Sequence, residues 1–232
     1  MRSPIQAVQA GYYGGDGFSR TPPPDLPSLL LKERIVYLGL PLFSSDEIKN
    51  QVGVDVTELI IAQLLYLQYD DPEKPIKIYI NSTGTSWYGG DAIGYETEAF
   101  AICDTINYIK PPVHTICLGQ AMGTAAMILS AGTKGCRASL PHANIILHQA
   151  RTGFRGQATD IQIQAREVLV NKTAIVDIFA RNTGQSIEKI AKDMDRMFYL
   201  KPEEAVEYGL IDRVLASPKE LSAPIAALVG SA

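Results

Sequence analysis

Val113-His114-Thr115-Ile116-Cys117-Leu118, followed by Gly119-Gln120-Ala121-Met122-Gly123-Thr124-Ala125-Ala126, joins a β-branched run to a glycine turn that opens a helix of small residues reaching Ser130. Strand, tight turn and helix in that order form the repeating unit of an α/β fold. The pattern recurs on both sides. Upstream, the sequence predicts a strand at 35–38, a helix over 56–68, a strand at 76–80 and a helix ending near Ile109. Downstream it predicts strands near 138–140 and 144–147, a long helix over 158–182, a shorter helix capped by Ser186, and a helix from Pro202 to a stop at Gly209. A last strand at 211–215 closes the series.

The 232 residues suffice for one large domain with its own core. A composition 46% hydrophobic and 20% charged is that of a globular protein, and no run of about 18 apolar residues offers a membrane span. The net charge of -4, with no basic run, argues against a nucleic-acid surface. Cys103, Cys117 and Cys136 have neither C-x-x-C spacing nor a histidine pattern, so they read as buried thiols of a reducing compartment. Neither a metal nor another cofactor is expected. Arg2 is followed by no apolar signal-peptide core, which places the chain in the cytoplasm, or in the stroma if it is made in a plastid. Residues 1–28, rich in Gly, Tyr and Pro, read as a flexible arm unable to hold a regular helix. Residues 217–232 read as a flexible tail, leaving 29–216 as the folded domain.

The helix over 158–182 spans roughly 36 Å at 1.5 Å per residue, close to the width of a domain. Ile161, Val168, Ile175 and Phe179 mark one apolar face, while Ile163, Val170 and Ala174 fall off it. Two apolar faces suit a protruding helix that mediates oligomerisation; a buried central helix is the alternative.

The turn after Leu118 has the context of a serine elbow, where a helix N-terminus stabilises an oxyanion. Yet it holds no serine, and no G-x-S-x-G occurs anywhere. The spacing also fails both glycine-rich phosphate motifs. His148, at the end of the strand 144–147, is placed either as a catalytic imidazole facing the turn or as a structural group. His114, inside a strand, and His142, beside Pro141, read as structural. Asp193-Met194-Asp195-Arg196-Met197 reads as a solvated helix cap.

Longer motifs decide the family. Leu31-Lys32-Glu33-Arg34-Ile35-Val36-Tyr37-Leu38-Gly39, Tyr79-Ile80-Asn81-Ser82, Gly119-Gln120-Ala121 and His148-Gln149 stand in the order and spacing of ClpP, the caseinolytic serine protease family. So do Gly156-Gln157-Ala158-Thr159-Asp160-Ile161, Thr183-Gly184-Gln185-Ser186 and Glu204-Ala205-Val206-Glu207-Tyr208-Gly209-Leu210-Ile211-Asp212. The resemblance runs from about residue 29 to 215. It implies the α/β crotonase-like fold of repeated β-β-α turns, with the 158–182 helix as a protruding handle through which two heptameric rings stack. Gln157, Asp160, Ile163 and Val170 are the handle residues it points to.

Departures from the family pattern are concentrated at the site. Gly123 stands at the nucleophilic serine position, His148 at the general base, and Met197 at the aspartate that orients the base. A thioether cannot hold an imidazole tautomer. Loss of the nucleophile alone costs a triad enzyme on the order of 10⁶ in turnover. Gly84, Thr85 and Thr124 fall where the oxyanion loop and the residue after the nucleophile belong. Thr124 does not replace the serine, because adjacent helical side chains diverge by about 100°. An insertion of about nine residues, within 85–98 and carrying Trp87, Tyr88, Gly89 and Gly90, lengthens the following loop.

The pattern resembles ClpR, the non-catalytic branch that forms mixed rings with active ClpP-type subunits. The implied partners are those subunits and an AAA+ Clp chaperone of ClpC or ClpX type, with no nucleic acid and no membrane. Tyr79, Tyr108, Ile116, Leu118 and Leu215 match positions that dock unfoldase loops, and Lys77 replaces an aromatic at one such position. Two alternatives stay open: an independent scaffold or adaptor of the same fold, and a crotonase-like acyl-CoA enzyme using Glu96 or Glu98.

Overall fold

The computed structural model describes residues 25–44, 55–87, 92–149 and 156–216. Two units divide at Glu33 and Arg34. In the first lies α1 (Leu26–Lys32), with Pro27 in the opening turn, where its missing N–H satisfies no helical bond anyway. The expectation that residues 26–28 belong to an arm without helix is therefore corrected. Residues 1–24 and the tail 217–232 lie outside the described residues.

The second unit is the α/β fold expected from the alternating runs. In chain order it contains β1 (Ile35–Leu38), α2 (Val56–Asp70), β2 (Ile76–Ser82), α3 (Glu96–Tyr108), β3 (Val113–Met122), α4 (Thr124–Ser130), β4 (Arg137–Ser139) and β5 (Asn144–Leu147). It continues with α5 (Ala158–Thr183), α6 (Ile187–Asp193), β6 (Phe198–Leu200), α7 (Pro202–Tyr208) and β7 (Arg213–Val214). The sheet order is β1-β2-β3-β4-β7, parallel throughout; β5 adds to β3 in parallel and β6 to β5 antiparallel.

β3 is four residues longer than its β-branched run. Gln120, Ala121 and Met122 pair with Asn144, Ile145 and Ile146. Gly119 is therefore a strand residue, where a Cβ would press on the Asn81 side chain, and the turn moves to Gly123. One strand thus carries β4 on its first half and β5 on its second.

One sheet face, with Val36, Leu38, Ile76, Ile78 and Ile80 fully buried, packs under α2 and α4, and α3 packs on both of those helices. The β1 entry is fixed by Arg34, at φ 60, whose guanidinium donates to the Leu67 and Asp71 carbonyls at 2.8 Å each. Those contacts cap the C-terminal end of α2. On the other face Ile116, Ala138 and Leu215 form a small cluster flanked by Tyr79, Leu118 and Leu140.

α5 runs to Thr183 and stops at Gly184 in the left-handed region (φ 81). Only Ile175, Val176 and Phe179, near its C-terminal end, are buried. Residues 158–170 are exposed apart from half-buried Val168. No described helix is long and apolar enough to cross a membrane. The 193–197 stretch is more than a solvated cap: Met194 is buried, and the Tyr208 hydroxyl donates to Asp193 at 2.9 Å.

Candidate functional site

The strand-to-helix elbow centres on Gly123, whose φ of 51° and ψ of -110° are sterically costly for any residue with a Cβ. Its N–H donates to the Ile146 carbonyl of β5 at 2.8 Å, which locks the turn to the strand leading to His148. His148 is buried, with its imidazole directly over Gly123. A Cβ built on Gly123 would fall on Nε2 and Cε1 of that ring. The imidazole thus fills the space into which a side chain at position 123 would project.

The ring is oriented by the backbone. Nδ1 of His148 lies 3.0 Å from the Gln149 carbonyl oxygen. A carbonyl only accepts, so Nδ1 is the donor in this contact and Nε2 is the nitrogen that faces Gly123. Met197 takes no part: its Sδ receives the Tyr199 hydroxyl at 3.5 Å. The expectation that His148 goes unoriented without an aspartate is therefore corrected. Gln149 is itself held, its N–H donating to the Met194 carbonyl at 3.0 Å and its Oε1 accepting from Lys172 Nζ of α5 at 2.9 Å.

Gly84, Thr85 and Thr124 come together on the other side of the elbow. Gly84, at φ 66, sits against it so closely that a Cβ would strike Thr124 Oγ1 and crowd the Ala125 amide and Met122 carbonyl. Its N–H donates to Ser82 Oγ at 3.0 Å, and the Thr85 N–H donates to Thr124 Oγ1 at 2.9 Å. The two hydroxyls of Thr85 and Thr124 are 3.2 Å apart. The amides of Gly84 and Thr85 are thus satisfied within the protein.

Part of the insertion is well defined. The Thr85 carbonyl accepts from Ile93 at 2.9 Å, Ser86 bridges Ala92, and the Trp87 and Phe43 ring centroids are 6.0 Å apart. Its last three residues, 96–98, belong to α3. Tyr88, Gly89 and Gly90 lie outside the described residues. Glu96 is buried at the start of α3; burial pushes its carboxyl up, and a hydrogen bond with Asn171 partly opposes this.

Of the residues marked for docking, Tyr79, Ile116, Leu118 and Leu215 share the outer sheet cluster. Tyr108 is exposed at the end of α3, apart from it. Gln157, Asp160, Ile163 and Val170 are exposed along α5. Among the described residues no group of three His, Cys, Asp or Glu is placed to hold a metal. Burial pushes the Cys117 thiol up to about 12, which leaves it inert. A cavity of about 540 Å³ lies at the opposite end of β3 from Gly123. Of its lining residues, Arg137 donates to the Asn182 carbonyl near the C-terminal end of α5 at 2.9 Å and pairs with Asp212, and so serves the fold.

Ser82 and Gln149 stand in the quoted motifs, but the sequence reading gave them no role. Ser82 accepting the amide two residues on is a local serine turn and was legible in Asn81-Ser82-Thr83-Gly84. The Gln149 carbonyl had no side-chain signature to find.

Comparison with known proteins adds the lineage. The Clp protease family profile matches residues 24–218. The chain is 74% identical to an ATP-dependent Clp protease proteolytic subunit-like protein of Synechocystis, over 97% of this chain and 99% of that one. It is 51% identical to ATP-dependent Clp protease proteolytic subunit 2 of Gloeobacter violaceus, covering 94% of this chain and 95% of the relative. It is also 51% identical to the chloroplastic Clp protease proteolytic subunit-related protein 4 of Arabidopsis thaliana, over 84% of this chain and 60% of the relative.

Proposed function

The chain belongs to the Clp protease family, and on that premise we propose that it is a non-catalytic, ClpR-type subunit of an ATP-dependent Clp protease core. In this reading residues 29–216 form the ring-building domain, the arm and tail flank it, and the protein works in the cytoplasm or plastid stroma. It joins active ClpP-type subunits in mixed heptameric rings. It lends them wall and chamber volume, and it presents part of a docking face to an AAA+ chaperone.

The observation that carries the reading is the elbow. Position 123 has no side chain, and the His148 ring lies where one would project. The base is oriented and buried but faces a hydrogen. The neighbouring hydroxyl of Thr124 is turned to Gly84 and Thr85, where it accepts from the Thr85 amide, and to act as a substitute nucleophile it would have to leave that contact and meet His148. The inward-turned amides of Gly84 and Thr85 also weigh against an acyl-CoA enzyme, which needs such N–H groups pointing at its thioester oxygen.

The test is co-expression with an active ClpP-type subunit of the same cell. Native mass spectrometry should find mixed rings, and a fluorophosphonate probe should label the partner alone. Labelling of a serine or threonine of this chain above a denatured control would refute inactivity. Failure to recover any mixed ring would refute the structural role.

A further inference from the structure

At the cavity of about 540 Å³, two loops and a helix end deliver cations to one space. Lys110 follows the end of α3, Lys134 follows the end of α4, and Arg181 stands in the last turn of α5. All three residues are exposed and line the cavity. Arg137 lines it too, but Asp212 holds that guanidinium at 2.6 Å. No acid is among the lining residues; Asp104, one turn before Tyr108, and Asp177, one turn before Arg181, both lie outside it. Among the described residues Lys110, Lys134 and Arg181 form no ion pair.

Helix dipoles account for part of this charge. The C-terminal ends of α3, α4 and α5 each carry roughly -0.5 of an elementary charge, which offsets about half of the three cations. The surplus sits on a fixed backbone. Lys110 precedes Pro111-Pro112, and its N–H donates to Gln68 Oε1 at 2.9 Å. The Val113 N–H donates to Thr133 Oγ1 and the Thr133 N–H to the Val113 carbonyl, both at 2.9 Å. The Gly135 N–H donates to Asp212 at 2.7 Å. Lys134 is therefore anchored on both sides, and only the side chains must order around an anion.

We propose that this cavity binds a small organic molecule through a phosphate monoester. Such a group carries about -1.5 to -2 charges and three acceptor oxygens, which matches the surplus and gives one oxygen to each of Lys110, Lys134 and Arg181. A monocarboxylate brings a single charge and leaves part of the surplus unmatched. The organic remainder meets Ile106, Ile109 and Pro111, the apolar part of the wall, in a volume inside the range of about 300–1,000 Å³ usual for small-molecule sites. Because the cavity lies at the opposite end of β3 from Gly123, the proposal goes beyond the ring-subunit reading and neither stands nor falls with it.

The test titrates phenyl phosphate and benzoate with the full-length protein at low ionic strength, where exposed cations are least screened, and follows the NMR linewidths of the ligands. Phenyl phosphate should bind about tenfold more tightly than benzoate. Lys134→Gln and Arg181→Gln should each weaken it about fivefold. Lys192→Gln, which removes an exposed cation of α6 that does not line the cavity, should bind as the native chain does. All three replacements are at exposed positions, so their melting temperatures should stay close to the native one. Absence of phenyl phosphate binding below about 10 mM, equal binding of benzoate, or unchanged affinity in both cavity variants would overturn the proposal. An equal loss in Lys192→Gln would reduce the effect to net charge and overturn it as well. Tighter binding of acetyl-Gly-phosphoserine-Gly-amide than of phenyl phosphate would give the cavity to a phosphorylated protein segment, and the small-molecule assignment would fall.

Discussion

The His148 imidazole occupies the volume into which a Cβ on Gly123 would point. Restoring a nucleophile is therefore a steric problem before it is a chemical one. Gly123→Ser must adopt a left-handed backbone (φ 51) and displace the ring, with a strain of about 1–3 kcal/mol for the backbone alone. We expect Gly123→Ser to melt at lower temperature than the native chain and to remain unlabelled by fluorophosphonate. Adding Met197→Asp should change little, because the Gln149 carbonyl already holds Nδ1. Strong labelling of the single variant would show that the ring swings aside at small cost. A large gain in the double variant would show that the carbonyl is a poor orienter.

Thr124 and Thr85 test whether the satisfied amides hold the elbow. Thr124→Val keeps the shape but leaves the buried Thr85 N–H without its acceptor, a loss of about 1–3 kcal/mol. Thr124→Ser should restore most of it. Urea denaturation midpoints of the three proteins provide the measurement, and equal midpoints for Val and native would show that the amide finds another partner.

Arg137 and Asp212 join β4 to the approach of β7 through a near-buried ion pair at 2.6 Å. Burial alone would raise the Asp212 carboxyl, but hydrogen bonds from the Arg137 side chain and amide and from Gly135, with the Arg137 charge, outweigh it and the net shift is downward. A lowered folded-state pKa means stability that is present above the unfolded value, about 3.9, and lost as pH falls through the folded one. Glu96 has the opposite sign: its raised carboxyl makes it relatively stabilising at low pH, and that contribution is lost as pH rises through its folded pKa. Asp212→Asn should cost about 3–5 kcal/mol near neutrality by stranding Arg137, and should flatten the acid limb. Glu96→Gln should stabilise at neutral pH and converge on the native curve under acid. Thermal melts across the acid range check both slopes.

Exposure along α5 separates assembly from folding. Ile163 and Val170 are 65% and 61% exposed, whereas Phe179 is fully buried. Ile163→Asp and Val170→Asp should leave the melting temperature within the small range of ordinary surface changes, yet shift double rings toward single rings by native mass spectrometry. Phe179→Ala should instead destabilise by about 3–5 kcal/mol. Unchanged assembly in both aspartate variants would remove the handle from ring stacking.

The legible parts of the fold were those with local causes. Alternating apolar residues in Ile76–Ile80, the Ser186 cap, which receives the Lys189 amide at 3.2 Å, and the glycine stop after Tyr208 each act within a few residues. The end of β3 was not legible, because Gly119 and Gln120 resemble a turn until β5, some twenty residues on, pairs with Gln120, Ala121 and Met122. Gly123 and His148 were found by motif register. Their steric relation was not, since it depends on a ring filling space that a missing side chain leaves. The orientation of His148 by the Gln149 carbonyl was equally hidden, because every residue offers a carbonyl and only the folded path selects one.

The last prediction concerns the insertion after Thr85. Thr85 links two structures: its N–H holds the elbow through Thr124, and its carbonyl receives Ile93 and Gly94 on the returning strand of the insertion. Trp87 packs on Phe43, and Gly94 lies so close to the Leu42 carbonyl that a Cβ would collide with it. Residues 85–87 and 92–94 are therefore fixed beside the elbow, and we expect the aromatic residues of the insertion to shield the elbow and reduce peptide capture at this subunit. Replacing residues 87–91 by Asn-Gly keeps the Ser86–Ala92 bridge on a two-residue turn. Photo-crosslinking of a substrate peptide to this subunit should then increase while mixed-ring assembly persists. Trp87→Ala should give a smaller increase in the same direction, with a modest loss of stability from uncovering Phe43. If the shortened protein no longer assembles with the active subunit and crosslinks no more peptide, the insertion is an interface element and the shielding role is wrong.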